Sequence, residues 1–110
     1  KIMKKDFNKP FLTLKGEPCQ VQGTDENGNE VMKPQLISDE LGALFFSATG
    51  SDKLPLSGEE KLRLAKIAQQ MATHPSEVDV TSEDITLIKR ILEPTCSAGA
   101  YLQVYNILEG

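Results

Sequence analysis

TSEDITLIKRILEPTCSAGAYLQVYNIL, residues 81–108, is the stretch whose reading decides the fold. It predicts two helices broken at Pro94. Thr81 is the expected N-cap of the first, with Asp84 three residues on as a carboxylate variant of the capping box. Glu83 and Asp84 fall in the first turn and Lys89 and Arg90 in the last, the arrangement that the helix dipole favours. Ile85, Leu87, Ile88, Ile91 and Leu92 spread over a wide apolar face, so this helix is expected to be buried on more than one side. Pro94 removes a backbone donor and disfavours helical geometry at Glu93, which ends the helix. Thr95 is the expected N-cap of the second helix. There Tyr101, Val104, Tyr105 and Leu108 form an i, i+3, i+4, i+7 stripe. Ser97-Ala98-Gly99 could be a phosphate-cradling turn. No Gly-rich loop with a lysine accompanies it, so a small-residue packing contact is the expectation.

Upstream, Ile37, Leu41, Leu44, Phe45 and Ala48 mark an amphipathic helix. Ser57-Gly58-Glu59-Glu60 is a strict capping box, with Leu56 in the staple position. The helix it opens carries Leu64, Ile67, Ala68 and Met71 on one stripe. Lys61, Arg63 and Lys66 form its polar side or a docking face. The four helices are expected near 36–48, 57–73, 82–93 and 96–108. Before them, residues 10–34 have strand and turn character. Asn27-Gly28 is a type I′ hairpin signal, because both central residues of that turn need positive φ. Folding there opposes Gly23 with Met32 and Val21 with Pro34, so that Cys19, Val21 and Met32 share a face. Val78-Asp79-Val80 is expected to be extended and to pair with this ribbon. The fold class is therefore α+β, mainly α: a short N-terminal β-hairpin packed on a bundle of about four helices.

At 110 residues the chain fits a single domain spanning 1–110, with 1–9 as a flexible basic arm, 10–34 as the ribbon and 35–110 as the helical part. With 39% hydrophobic and 25% charged residues it reads as ordinary globular material. No apolar run approaches the roughly 20 residues that span a bilayer, so no membrane association is expected. No secretory signal is read, and Met3 before Lys4-Lys5 is the expected natural start. Five lysines lie in the first fifteen residues, leaving 7 basic and 15 acidic residues from Gly16 onward. An acidic body disfavours phosphate contacts, so nucleic acid is not an expected partner.

Cys19, Cys96 and His74 are the only cysteines and histidine, with no CxxC and no zinc-type spacing. A disulfide between the two cysteines is geometrically possible, but reduced, buried thiols are the expectation. Cys96, at a helix N-terminus, is expected to have a lowered pKa. His74, beside Pro75, is expected in an exposed turn. Glu59/Glu60 and Glu83/Asp84 are acidic pairs that already serve as helix-start residues. No catalytic residue, cofactor site or metal site is assigned.

The order of these pieces resembles a group of small proteins of tailed bacteriophages and prophages. The resemblance runs from the "KPF…GEP…ENGNEV" ribbon through "SGEEKLRLAKIA" and "VDVTSEDITLIKRIL" to the closing "YLQVYNILEG". It covers the chain from about Asn8 to Gly110, and departs from the group at Cys96-Ser97-Ala98, where bulkier aliphatics are expected. It implies a phage origin and a host-cytoplasmic or virion setting, with no mechanism. The expected function is non-enzymatic: a protein that binds a phage or host protein, as an assembly accessory or a modulator, with homo-oligomerisation as a further option. The alternative is a small enzyme or nucleic-acid-acting accessory whose site the sequence does not display. One residue stands out as a possible partner contact. Phe46 lies about 100° round the helix from Phe45, above Gly42 and Asp39. It either packs under the N-terminal ribbon or stands exposed for a partner.

Overall fold

In the computed structural model, which describes residues 1–110, the chain runs β1 (Met3–Lys5), β2 (Gln20–Thr24), β3 (Glu30–Pro34), α1 (Ile37–Phe46), α2 (Gly58–Thr73), β4 (Val78–Val80), α3 (Ser82–Leu92) and α4 (Ala98–Glu109). The class is α+β, with four helices and two separate two-stranded antiparallel sheets, β1–β4 and β2–β3. Both capping boxes form. Glu60 N–H donates to Ser57 Oγ at 3.1 Å, and Ser57 N–H donates back to Glu60 Oε1 at 2.9 Å. Thr81 and Asp84 make the same reciprocal pair at 3.1 and 2.9 Å. Each box satisfies two donors that a helix start would otherwise leave open.

α1 starts by another route, because its N-cap, Leu36, has no side-chain acceptor. Main-chain carbonyls of the N-terminal segment take that part. Ile37 N–H donates to Lys9 O at 2.8 Å and Ser38 N–H to Phe7 O at 3.0 Å. This corrects the expectation that residues 1–9 form a flexible arm. Met3 to Lys5 pair with Val80 to Val78 as β1 against β4, and Phe7 is wholly buried. Odd positions 3, 5 and 7 turn inward while Lys4 reaches out to Asp79 at 2.9 Å. Val78–Val80 is extended as expected, but its partner is the arm rather than the ribbon. Its other edge is closed by the Gln70 amide, which accepts from Asp79 N–H (2.8 Å) and donates to Asp79 O (3.3 Å).

The ribbon differs from its expectation by one residue. Its register pairs Val21 with Lys33, Gln22 with Met32 and Gly23 with Val31. Gly28 has φ +83 and no other residue of the turn is positive, so the turn is not type I′. Gly28 N–H bonds Asp25 O at 3.1 Å and Asp25 N–H bonds Asn29 O at 2.9 Å, a three-residue loop closed by a left-handed glycine. The Asp25 carboxylate decides it, accepting from both Asn27 and Asn29 N–H at 2.9 Å. A one-residue slip exchanges the two faces of a strand. Val21 and Met32 therefore lie on opposite faces, and Met32 is 62% exposed. The ribbon is mostly uncovered rather than packed on the helices.

At the C-terminus the break at Pro94 is present, yet Glu93 keeps helical angles (φ −50, ψ −50) and the chain turns over residues 93–96. Ser97, not Thr95, caps α4, accepting from Ala100 N–H at 3.2 Å. Thr95 Oγ1 instead donates back to Ile91 O at 3.0 Å. The core joins Phe7 and Phe11, Ile37, Leu41 and Phe45 of α1, the Leu64–Met71 stripe, Val78 and Val80, the wide face of α3, and Val104 and Leu108. Three residues expected in it are not. Leu44 and Tyr101 are half-buried, and Tyr105 is 43% exposed with the Lys89 ammonium 4.6 Å from its ring centre. No helix is long and apolar enough to cross a membrane.

Candidate functional site

Phe46 is the last residue of α1 and is 66% exposed, so it does not pack under the ribbon. The reason lies in the register of α1. Ile37, Leu41 and Phe45 take the buried face, and Phe46 follows one step round on the line of Asp39 and Gly42. On that line α1 lies close to α2. A Cβ built at Gly42 would stand 3.6 Å from Met71 Cβ and 3.8 Å from the Ala68 carbonyl, ordinary contact distances. Small side chains on both helices thus leave a shallow groove of about 350 Å3, lined by Gly42, Ala43, Ala68, Met71 and Ala72 with Phe46 among them. Ser38 and Asp39 stand at its α1 side and Gln69 at its α2 side. Ser38 is buried, and its hydroxyl has no hydrogen-bond partner. Asp39 is exposed and makes no ion pair.

The charged residues that converge elsewhere are engaged with one another. Arg63 forks between α2 and α3, donating to Asp84 Oδ1 at 3.2 Å and Glu83 Oε2 at 3.1 Å, with Glu59 at 3.7 Å. Asp84 above all raises the pKa of its guanidinium. Arg90 donates to Glu60 from the opposite side. The Ser57 N–H, and then Arg90, hold the Glu60 carboxyl below its ordinary value. The two acidic pairs therefore do more than open helices, since they also bind α2 to α3. The pocket between these side chains is lined almost wholly by them.

His74 is exposed at the end of α2, with its Nδ1 2.8 Å from Thr73 Oγ1. Cys19 and Cys96 are free and half-buried. Burial pushes the Cys96 thiol up, which corrects the expected lowering and opposes thiolate formation. No three His, Cys, Asp or Glu side chains are grouped as metal ligands.

Sequence reasoning placed Phe46 and Gly42 on one line. It assigned Ala68 and Met71 to the core alone, because a helical stripe does not show where a neighbouring helix stops covering it. No family model, no curated protein and no solved structure matches this chain.

Proposed function

We propose that this is a non-enzymatic protein of a tailed bacteriophage or prophage, acting in the host cytoplasm or on the virion by binding a phage or host protein. Its role is that of an assembly accessory or a modulator of a host protein. The observation that carries the reading is Phe46. A large aromatic ring 66% exposed at the mouth of an apolar groove is the kind of anchor around which protein interfaces are built. Burying such a side chain contributes about 1.5–3 kcal/mol, enough to matter in a contact of modest size. Unpaired Asp39 at the same groove favours a partner segment that brings a lysine or arginine beside its apolar residue. The competing enzymatic reading needs carboxylates or a nucleophile–base pair free to act in a cleft. The converging carboxylates here are committed to Arg63 and Arg90.

Phe46→Ser tests this. Tagged wild-type and variant chains are used to recover partners from phage-infected bacteria, and thermal unfolding of both is followed in parallel. The variant should unfold within about 0.5 kcal/mol of wild type, as surface substitutions do, and should lose a protein that wild type retains. Equal capture by both chains would remove Phe46 from the interface, and a collapse in stability would return it to the core.

A further inference from the structure

A second surface, separate from the Phe46 groove, lies on the ribbon. β2 is Gln20-Val21-Gln22-Gly23-Thr24, a strand with neither charge nor proline. Its inner side is fixed by bonds at both ends of the ladder, Gln35 N–H to Cys19 O at 2.8 Å and Asp25 N–H to Asn29 O at 2.9 Å. With the register uniform between them, antiparallel alternation directs the N–H and C=O of Val21 and Gly23 toward β3. Those of Gln20, Gln22 and Thr24 then point away from it. The N-terminal segment does not cover them, because it meets the same inner side. Cys19 N–H donates to Phe11 O, and Thr13 N–H to Glu17 O, both at 2.7 Å. Gln20, Gln22 and Thr24 are all exposed. The opposite edge is different. β3 carries Glu30 and Pro34, a charge and a missing donor that keep an edge strand from pairing.

We propose that this edge pairs with the same edge of a second copy of the chain, giving a four-stranded antiparallel sheet in the order β3-β2-β2-β3. The two-fold axis passes at Gln22. Gln22 then faces Gln22 of the other copy, and Gln20 faces Thr24, each pair exchanging both hydrogen bonds. That is the phase the outward groups require. β2 itself carries no charge, and the one charge at its edge, the Lys33 ammonium on the Thr24 carbonyl, comes beside the neutral Gln20 of the other copy. Val21 of one copy comes opposite Gly23 of the other, where the only cover is the stem of Lys33, whose Cδ lies 2.8 Å from a Cβ built there. Lys33 Nζ bonds the Thr24 carbonyl at 2.7 Å, leaving its second lone pair for the incoming N–H. A two-stranded ribbon alone is marginal, and the added strands supply what it lacks. The guarded β3 edges end the sheet on both sides, so the assembly closes as an isologous dimer instead of growing.

The test is the mass in solution as concentration rises, followed by light scattering and sedimentation. Wild type should move from 12.1 kDa toward twice that value. Gln22→Pro removes the central outward donor. It spares the β2–β3 ladder, because Gln22 and Met32 form a non-bonded pair and edge strands accept proline on the solvent side. It should weaken association about tenfold or more, equivalent to at least 1.4 kcal/mol. Retained protection of the Val21 and Gly23 amides shows the ribbon intact. Gln22→Lys, which sets like charges opposite one another, should weaken association in the same direction without altering backbone donors. A wild-type chain that stays at 12.1 kDa throughout overturns the proposal, whether or not another protein's strand binds this edge. So does a dimer that neither variant weakens.

Discussion

Ile88 and Phe7 are both wholly buried, and only one of them is legible from its neighbours. Ile88 belongs to the Ile85–Leu92 face of a helix whose start and stop are both written in the chain. Phe7 stands in Lys-Lys-Asp-Phe-Asn-Lys, where charge density suggests solvent and no helical period exists. The signal it did carry was a period of two with Met3 and Lys5, too short to weigh against four lysines. Truncating either residue should show the same thing. Ile88→Ala is expected to cost about 2–5 kcal/mol and Phe7→Ala about 3–5 kcal/mol in urea unfolding, the usual range for emptied core positions. A Phe7→Ala loss under about 0.5 kcal/mol, as at a surface site, would detach the N-terminal segment from the core. Tyr105 errs in the other direction. Its stripe with Tyr101, Val104 and Leu108 shows correctly which residues share a side of α4, but α4 is covered over a narrower band than the stripe. The phenol ring rests under Lys89 at the surface, where an amphipathic side chain meets both apolar body and water. Phe46 was legible as the residue off the core line, while the groove beside it depended on how closely α2 approaches Gly42.

Elements were legible where one short motif decides them and illegible where two solutions share a motif. Ser57-x-x-Glu60 and Thr81-x-x-Asp84 each satisfy helix donors locally, so the starts of α2 and α3 fall where the residues put them. Asn27-Gly28 suits both a two-residue and a three-residue hairpin. The choice rests on Asp25, whose carboxylate holds the main chain of Asn27 and Asn29. The start of α1 was beyond sequence reasoning for another reason, since its acceptors are the carbonyls of Lys9 and Phe7, far upstream in the chain. The turn geometry makes an asymmetric prediction. Within this turn only Gly28 has positive φ, and a Cβ there would meet nothing within 4 Å, so Gly28→Ala acts through backbone strain alone. It should cost about 1–2 kcal/mol locally and speed amide exchange at Gly23 and Val31. Asn27→Ala should leave that exchange unchanged. Equal effects of the two substitutions would restore the type I′ turn, in which both positions need positive φ.

At the scale of the molecule, several elements are joined by ion pairs laid over the apolar core. Lys4–Asp79 joins β1 to β4, Arg63 and Arg90 join α2 to α3, and Lys89–Glu109 joins α3 to α4. Lys5 Nζ bonds the Gly110 carbonyl at 2.7 Å, so the two ends of the chain meet. The exposed pairs among them each contribute little and are screened by salt, whereas the Asp84 end of the Arg63 pair is buried. Their pH dependence is nonetheless directional. Lys4 and Lys89 are raised above 10.5 by Asp79 and Glu109, so their contribution is whole at neutral pH and lost only as pH climbs through the raised values. Glu60 sets the acid limb. Its folded pKa lies below the ordinary 4.5, so its contribution is present above that value and lost as pH falls through the lowered one. Glu60→Gln separates its two tasks. A glutamine at this position still offers a carbonyl oxygen to Ser57 N–H, preserving the capping box, while the charge facing Arg90 is gone. The variant should melt below wild type at neutral pH, and the gap should close as pH is lowered through the acid limb, where the wild-type carboxyl is neutral too. A gap that persists unchanged in acid would mean that the carboxylate's charge is idle and that shape alone joins α2 to α3 at this point.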